Sequence, residues 1–161
     1  MIILISDANI IIDMEEGGLI DLIFTLPHCF KVPDILYYDE LEEQHGILLD
    51  RGLVLGELSS ETLTYALGLA ENASGPSRND CFALCLAKQE QCPLLTGDKA
   101  LRELAQSEGI EVKGTLWIVE EMLHHGLITP SMAREAYNRM RDAGRRLPWD
   151  IAFRRLDELD L

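Results

Sequence analysis

Positive charge is scarce in this chain. Fourteen lysines and arginines face 28 aspartates and glutamates, for a formal charge of −14. Phosphates are repelled by such a chain as a whole, which excludes a general, non-specific nucleic-acid binder. Long apolar runs are missing too, and none approaches the roughly 18 uninterrupted apolar residues of a membrane span. The opening MIILISDAN carries neither a basic stretch nor a small-residue cleavage site, so no secretory leader is expected. The four cysteines, Cys29, Cys81, Cys85 and Cys92, form no CxxC pair. They are expected to stay reduced in a cytoplasmic protein, with Cys81 and Cys85 as buried thiols rather than a metal pair. Also absent are GxSxG, a P-loop and GxGxxG, which removes the usual esterase, nucleotide-hydrolase and dinucleotide readings. His124 and His125 are adjacent, so a helix points them about 100° apart. His28 and His45 have no spaced partner. No histidine metal site is expected from the sequence.

What the chain does contain is alternation. Short apolar strands are expected at 2–5, 29–33 (CFKVP), 53–58 (LVLGEL), 93–97 (PLLTG) and 110–114 (IEVKG). Helices are expected at 17–26, 34–46, 60–73 (opened by Ser60), 77–91, 98–109, 115–126, 130–144 and 148–159. No repeat, low-complexity tract or linker divides the 161 residues, so one domain over 1–161 is expected. Strands alternating with helices predict a three-layer α/β/α sandwich around a mainly parallel central sheet. Right-handed crossovers then bring the strand C-termini to one edge, where open α/β sheets bind ligands.

Two acids follow strands directly on that edge, Asp7 after the first and Asp98 after PLLTG. Taken singly, each acid of interest has a plain structural role. Asp98 can cap the next helix, and Asp80 stands three residues after Ser77 like the acid of a capping box. Asp7 can close a turn with Asn9, and Glu40 is one more acid in the exposed run DELEE. Jointly they suggest a different chemistry. Clustered carboxylates repel one another unless a hard divalent cation such as Mg²⁺ or Mn²⁺ sits among them.

The order and spacing of ISDANIIID, VPDILYYDELEE, SRNDCFALCLAK and LLTGDKALRELAQSEGIEVKGT resemble the PIN-domain ribonucleases, including the VapC-like toxins of toxin–antitoxin pairs. The resemblance covers a core of about 2–116, leaving 117–161 as a helical extension. It implies a PIN-like fold and Mg²⁺- or Mn²⁺-dependent hydrolysis of RNA phosphodiester bonds. Asp7, Glu40, Asp80 and Asp98 would be both catalytic residues and metal ligands. Among these, Asp7 and Asp98 are the direct ligands; Glu40 and Asp80 complete the site or orient the attacking water. Glu40 is preferred to its neighbours Asp39 and Glu43 because it stands directly before Leu41, as the family pattern has it. Asn9 and Thr96 match polar positions supporting the first and fourth acids. The implied partners are an RNA substrate, an antitoxin protein for a toxin, and a second copy of the chain in a homodimer; no membrane is involved.

Charge is unevenly placed along this frame. Over 130–155, seven arginines (Arg134, Arg139, Arg141, Arg145, Arg146, Arg154, Arg155) meet three acids, a local balance of +4. This segment is either a solvated face of salt bridges or a basic strip beside the acidic pocket. Two other function classes compete with the nuclease. One is a catalytically inactive protein-interaction module that keeps the PIN fold, against which four intact acids argue. The other is a phosphoacceptor or phosphatase domain, but its DxDxT does not follow the first strand, which runs into Asp7-Ala8-Asn9.

Overall fold

The structure is a computed structural model that describes residues 2–159. Five parallel strands form one sheet in the order β3-β2-β1-β4-β5. They are β1 (Ile3–Ser6), β2 (Cys29–Pro33), β3 (Val54–Gly56), β4 (Leu94–Leu95) and β5 (Val112–Lys113). The register pairs Ile3 with Cys29, Ile5 with Leu94, and Leu94 with Val112. Leu4 and Ile5, on opposite faces of β1, are both fully buried, as a strand covered on two sides requires.

The chain leaves the central strand β1 in one direction to β2 and β3, then returns across it to β4 and β5. Right-handed crossovers place the first connection on one face of the sheet and the later ones on the other. The first connection holds α1 (Ala8–Glu16) and the single turn α2 (Ile20–Ile23). The return runs through α6 (Ser60–Asn72) and α7 (Arg78–Glu90), and α8 (Lys99–Ser107) links β4 to β5. Helix α7 packs on β1, β2 and β4 and is buried on every side from Cys81 to Ala87, which makes it the central helix of its layer. Helices α9 (Thr115–His124) and α10 (Pro130–Asp142) pack against α1, and α11 (Trp149–Leu159) closes on α10. Among the described residues no helix is long and apolar enough to cross a membrane.

Helix α1 occupies a stretch for which the sequence pattern predicts no element. Asp7 accepts a hydrogen bond from the Ile10 amide and caps it, while Ile10, Ile11 and Met14 are buried. Burial outweighs the low helix propensity of three successive isoleucines. The expected helix over 17–26 shrinks to α2, because the chain turns at Gly17 and Gly18, the latter at φ +73°. Helix α6 is capped by Ser59, one residue before the expected Ser60.

The helix expected over 34–46 is broken into α3 (Asp34–Leu36), a wide π-helical turn (Tyr37–Leu41) and α4 (Glu42–His45), after which α5 (Leu48–Arg51) leads to β3. Single π turns recur at functional sites because they re-aim side chains. This one carries Asp39 and Glu40.

Candidate acidic active site

The direction of connection reverses between β1 and β4, and a crevice opens beyond their C-terminal ends. Asp7 leaves β1 into it and is only 1% exposed. Its Oδ1 accepts from the Ile10 amide at 3.0 Å, and its Oδ2 accepts from Thr96 Oγ1 at 2.5 Å. The same Thr96 hydroxyl oxygen accepts from the Asp98 amide at 3.1 Å. One threonine therefore joins the ends of two adjacent strands through their acids.

Burial dominates the electrostatics of Asp7 and lifts its carboxyl to about 7. The bonds from Thr96 and Ile10 act against that rise, and the charges of Asp80 and Asp13 add to it. A carboxyl so raised resists ionisation, because its surroundings do not neutralise the charge that ionisation would create. A nearby cation would relieve it.

Asp98 caps α8 through Oδ1, which accepts from the Leu101 amide at 2.9 Å. Its Oδ2 has no hydrogen-bond partner among the described residues. Asp80 stands in the first turn of α7, in a reciprocal box with Ser77: each accepts from the other's amide, at 2.9 and 3.1 Å. Its charge acts on both Asp7 and Glu40, so Asp80 couples the two ends of the cluster. Glu40 is raised first by its partial burial, then by Asp80 and Asp39, against the hydrogen bond from Asn79. The Asn79 side-chain amide donates to Asp39 at 2.7 Å and to Glu40 at 3.0 Å.

Both structural and chemical roles thus meet in the same residues. Asp7 and Asp98 cap α1 and α8, and Asp80 closes the Ser77 capping box of α7, so helix starts fix the position of all three acids. Among the described residues, no three of the four acids bring ligand oxygens within 4.8 Å of one another. Mg²⁺ does not need them to, because it keeps several waters and uses one or two carboxylates. The all-oxygen donor set and the raised Asp7 carboxyl fit a hard divalent cation.

Thr96, expected to support the first and fourth acids, bonds the Asp7 carboxylate and the Asp98 amide. Asn9, the other expected supporting residue, accepts from Arg145 through its Oδ1 at 3.2 Å. Arg145 belongs to a network that sequence reading missed. Asp13, buried on α1, accepts from Arg145 Nε at 2.6 Å and from Thr115 Oγ1 at 2.8 Å. A cavity of about 460 Å³ is lined by Asn9, Asp98, Lys99, Arg145 and Arg146 among others. The basic stretch following α10 therefore reaches the acidic edge. Asp13 had one sequence signal, its place six residues after Asp7 in an apolar run, where a charged side chain needs a partner.

Comparison with known proteins agrees with this architecture. A family described as DUF3368, PIN domain, matches residues 3–160. The match runs through the C-terminal helices as well as the acidic edge. The structure also resembles a PilT N-terminus domain protein from the hyperthermophilic archaeon Sulfolobus solfataricus P2, with a TM-score of 0.51 and 14% identity over 76% of this chain and 94% of that one. At that identity the likeness concerns the fold alone. No curated protein matches the sequence.

Proposed function

Because the chain belongs to the PIN-domain family, whose members are generally nucleases that use divalent metals, we propose that it is a Mg²⁺- or Mn²⁺-dependent endoribonuclease hydrolysing RNA phosphodiester bonds. The observation that carries the reading is Asp7: a buried carboxyl at the sheet's switch point, raised to about 7 and tied through Thr96 to the Asp98 turn.

Asp7 and Asp98 would hold the cation, and Asp80 and Glu40 would complete its water shell and orient the attacking water. Asn79 and the Ser77 box position the latter two. A bound divalent ion supplies Lewis-acid polarisation of the phosphoryl oxygen and a water of lowered pKa. Lys99, Arg145 and Arg146 line the same cavity as Asp98 and would meet the anionic backbone there. A second cavity of about 290 Å³ shares Gly97 and Arg146 with the first and adds Arg102, Lys113 and Trp117. The two cavities adjoin at Gly97 and Arg146. Local positive charge along them offsets the repulsion of a chain at −14 and favours selective over indiscriminate cleavage.

The reading extends to a cytoplasmic enzyme and to the toxin of a toxin–antitoxin pair. Its antitoxin would be a small protein covering the acidic crevice, and the C-terminal helices would support a homodimer. An adjacent small gene whose product blocks cleavage would support the toxin role; none beside the gene would count against it.

The test is cleavage of single-stranded RNA in Mn²⁺ by wild type, Asp7→Asn and Asp98→Asn. Each substitution is expected to reduce the rate by about 10²-fold or more, with the circular dichroism spectrum unchanged. Full activity in both variants would refute the assignment.

A further inference from the structure

The opposite end of the sheet carries a different donor set. His28 immediately precedes β2, whose first residue Cys29 pairs with Ile3, so His28 lies level with Ile2 at the N-terminal edge. Asp7 is five residues further along that register, about 16 Å at roughly 3.3 Å per residue. Helix α9 runs back to this end and delivers Glu121 and, just past its last turn, His125.

His28 Nε2 lies 2.9 Å from Glu121 Oε2, and His125 Nε2 lies 3.6 Å from the same oxygen. All three ligand atoms are within 4.8 Å of one another, the one such trio of His, Cys, Asp or Glu among the described residues. Tetrahedral zinc with bonds of about 2.0–2.1 Å to nitrogen and oxygen needs ligand atoms about 3.3 Å apart. The two separations, 2.9 and 3.6 Å, fall on either side of that value.

The arrangement is also held in place. The His28 ring stacks on Trp117 at 5.9 Å, and its side chain is only 11% exposed. The two imidazoles meet edge to face at 6.2 Å. Glu121 and His125 are four residues apart, so one helical face presents both. His125 is 41% exposed, which leaves a fourth position open to water.

We propose that His28, Glu121 and His125 form a binding site for a borderline-soft divalent transition metal, Zn²⁺ above all, separate from the acidic edge. Two imidazoles and one carboxylate suit zinc and its neighbours, whereas Mg²⁺ prefers oxygen alone. Bound metal would pin the C-terminal end of α9 to the entry of β2, and so act as a clasp between elements 93 residues apart. Its affinity is set by the ring's other nitrogen. His28 Nδ1 is buried with no partner, although it must carry the proton when Nε2 binds metal. Without that outer hydrogen bond, worth about 10–100-fold in affinity, the site is expected to bind in the micromolar range rather than more tightly.

The test uses the full chain and Zn²⁺ alone, titrated by calorimetry in excess Mg²⁺ so that the acidic edge is occupied. One equivalent of Zn²⁺ is expected, bound about tenfold or more weaker in His125→Ala and in Glu121→Gln and unchanged in Asp7→Asn. Zn²⁺ should also raise the Tm of wild type but not of His125→Ala, whose exposed side chain puts the fold at no risk. Co²⁺ should give visible d–d absorption that the same substitution removes. Absence of micromolar Zn²⁺ binding, or binding that survives His125→Ala intact, would overturn the site. Loss in Asp7→Asn with retention in His125→Ala would assign the metal to the acids instead.

Discussion

Asp7 sets the behaviour of the edge at the scale of single residues. Its folded-state value of about 7 lies above the roughly 3.9 of an unfolded aspartate. The folded chain therefore holds a proton that the unfolded chain has released between those values. Stability contributed by Asp7 is complete below about pH 4 and is lost as pH rises towards 7. Replacing Asp7 with Asn should remove this slope and raise metal-free stability at pH 8, on the order of 2–4 kcal/mol, while abolishing cleavage. Urea unfolding at pH 5 and pH 8 checks it. A variant less stable than wild type at pH 8 would show that burial does not govern this carboxyl. Thr96→Ala makes a complementary case. Loss of one of the two bonds that oppose the rise should push Asp7 higher and move the alkaline-requiring limb of the cleavage profile upward, with Thr96→Ser restoring it. Sequence reading reaches Asp7 and Asp98 through their strand ends, and Thr96 through the family resemblance. It could not foresee Asp13 with Arg145, because 132 residues separate partners that only packing brings together.

At the scale of elements, caps are what hold the acids. Ser77→Ala should cost about 1 kcal/mol of stability through the lost box and also free Asp80, so cleavage should fall more than the change in folded fraction explains. Denaturant midpoints and rates at one temperature separate the two effects. Asn79→Ala should release Asp39 and Glu40 and slow cleavage without that loss of capping. The parallel alternation of strands and helices was readable because each buried strand is a short apolar run bounded by turn residues. Helix α1 was not, since Asn9-Ile10-Ile11-Ile12 looks extended locally and becomes helical through the Asp7 cap and a buried face. The π turn was equally hidden. It lets two successive acids, Asp39 and Glu40, share the Asn79 side-chain amide.

The whole molecule combines an acidic chain with a basic margin. The arginines of 130–155 divide by residue: Arg134 and Arg155 pair with Asp157 and Glu120 on the helical surface, while Arg145 and Arg146 line the Asp98 cavity. Arg146→Ala should weaken RNA binding across sequences and flatten its salt dependence by about one phosphate contact. Fluorescence anisotropy from low to moderate salt reads both. Arg155→Ala should leave the slope unchanged. The histidine trio illustrates the same limit of one-dimensional reading, as His28 gains its partners only when α9 returns to the far end of the sheet.

The most direct measurement is a calorimetric titration of Mn²⁺ into wild type and into the Asp7→Asn/Asp98→Asn double variant. Both proteins keep the histidine trio, so any binding there is a common background. Saturable binding in wild type that disappears from the double variant is the predicted result, and it would make Asp98 a ligand as well as a cap. Equal binding by the two proteins would contradict a cation site built on this edge.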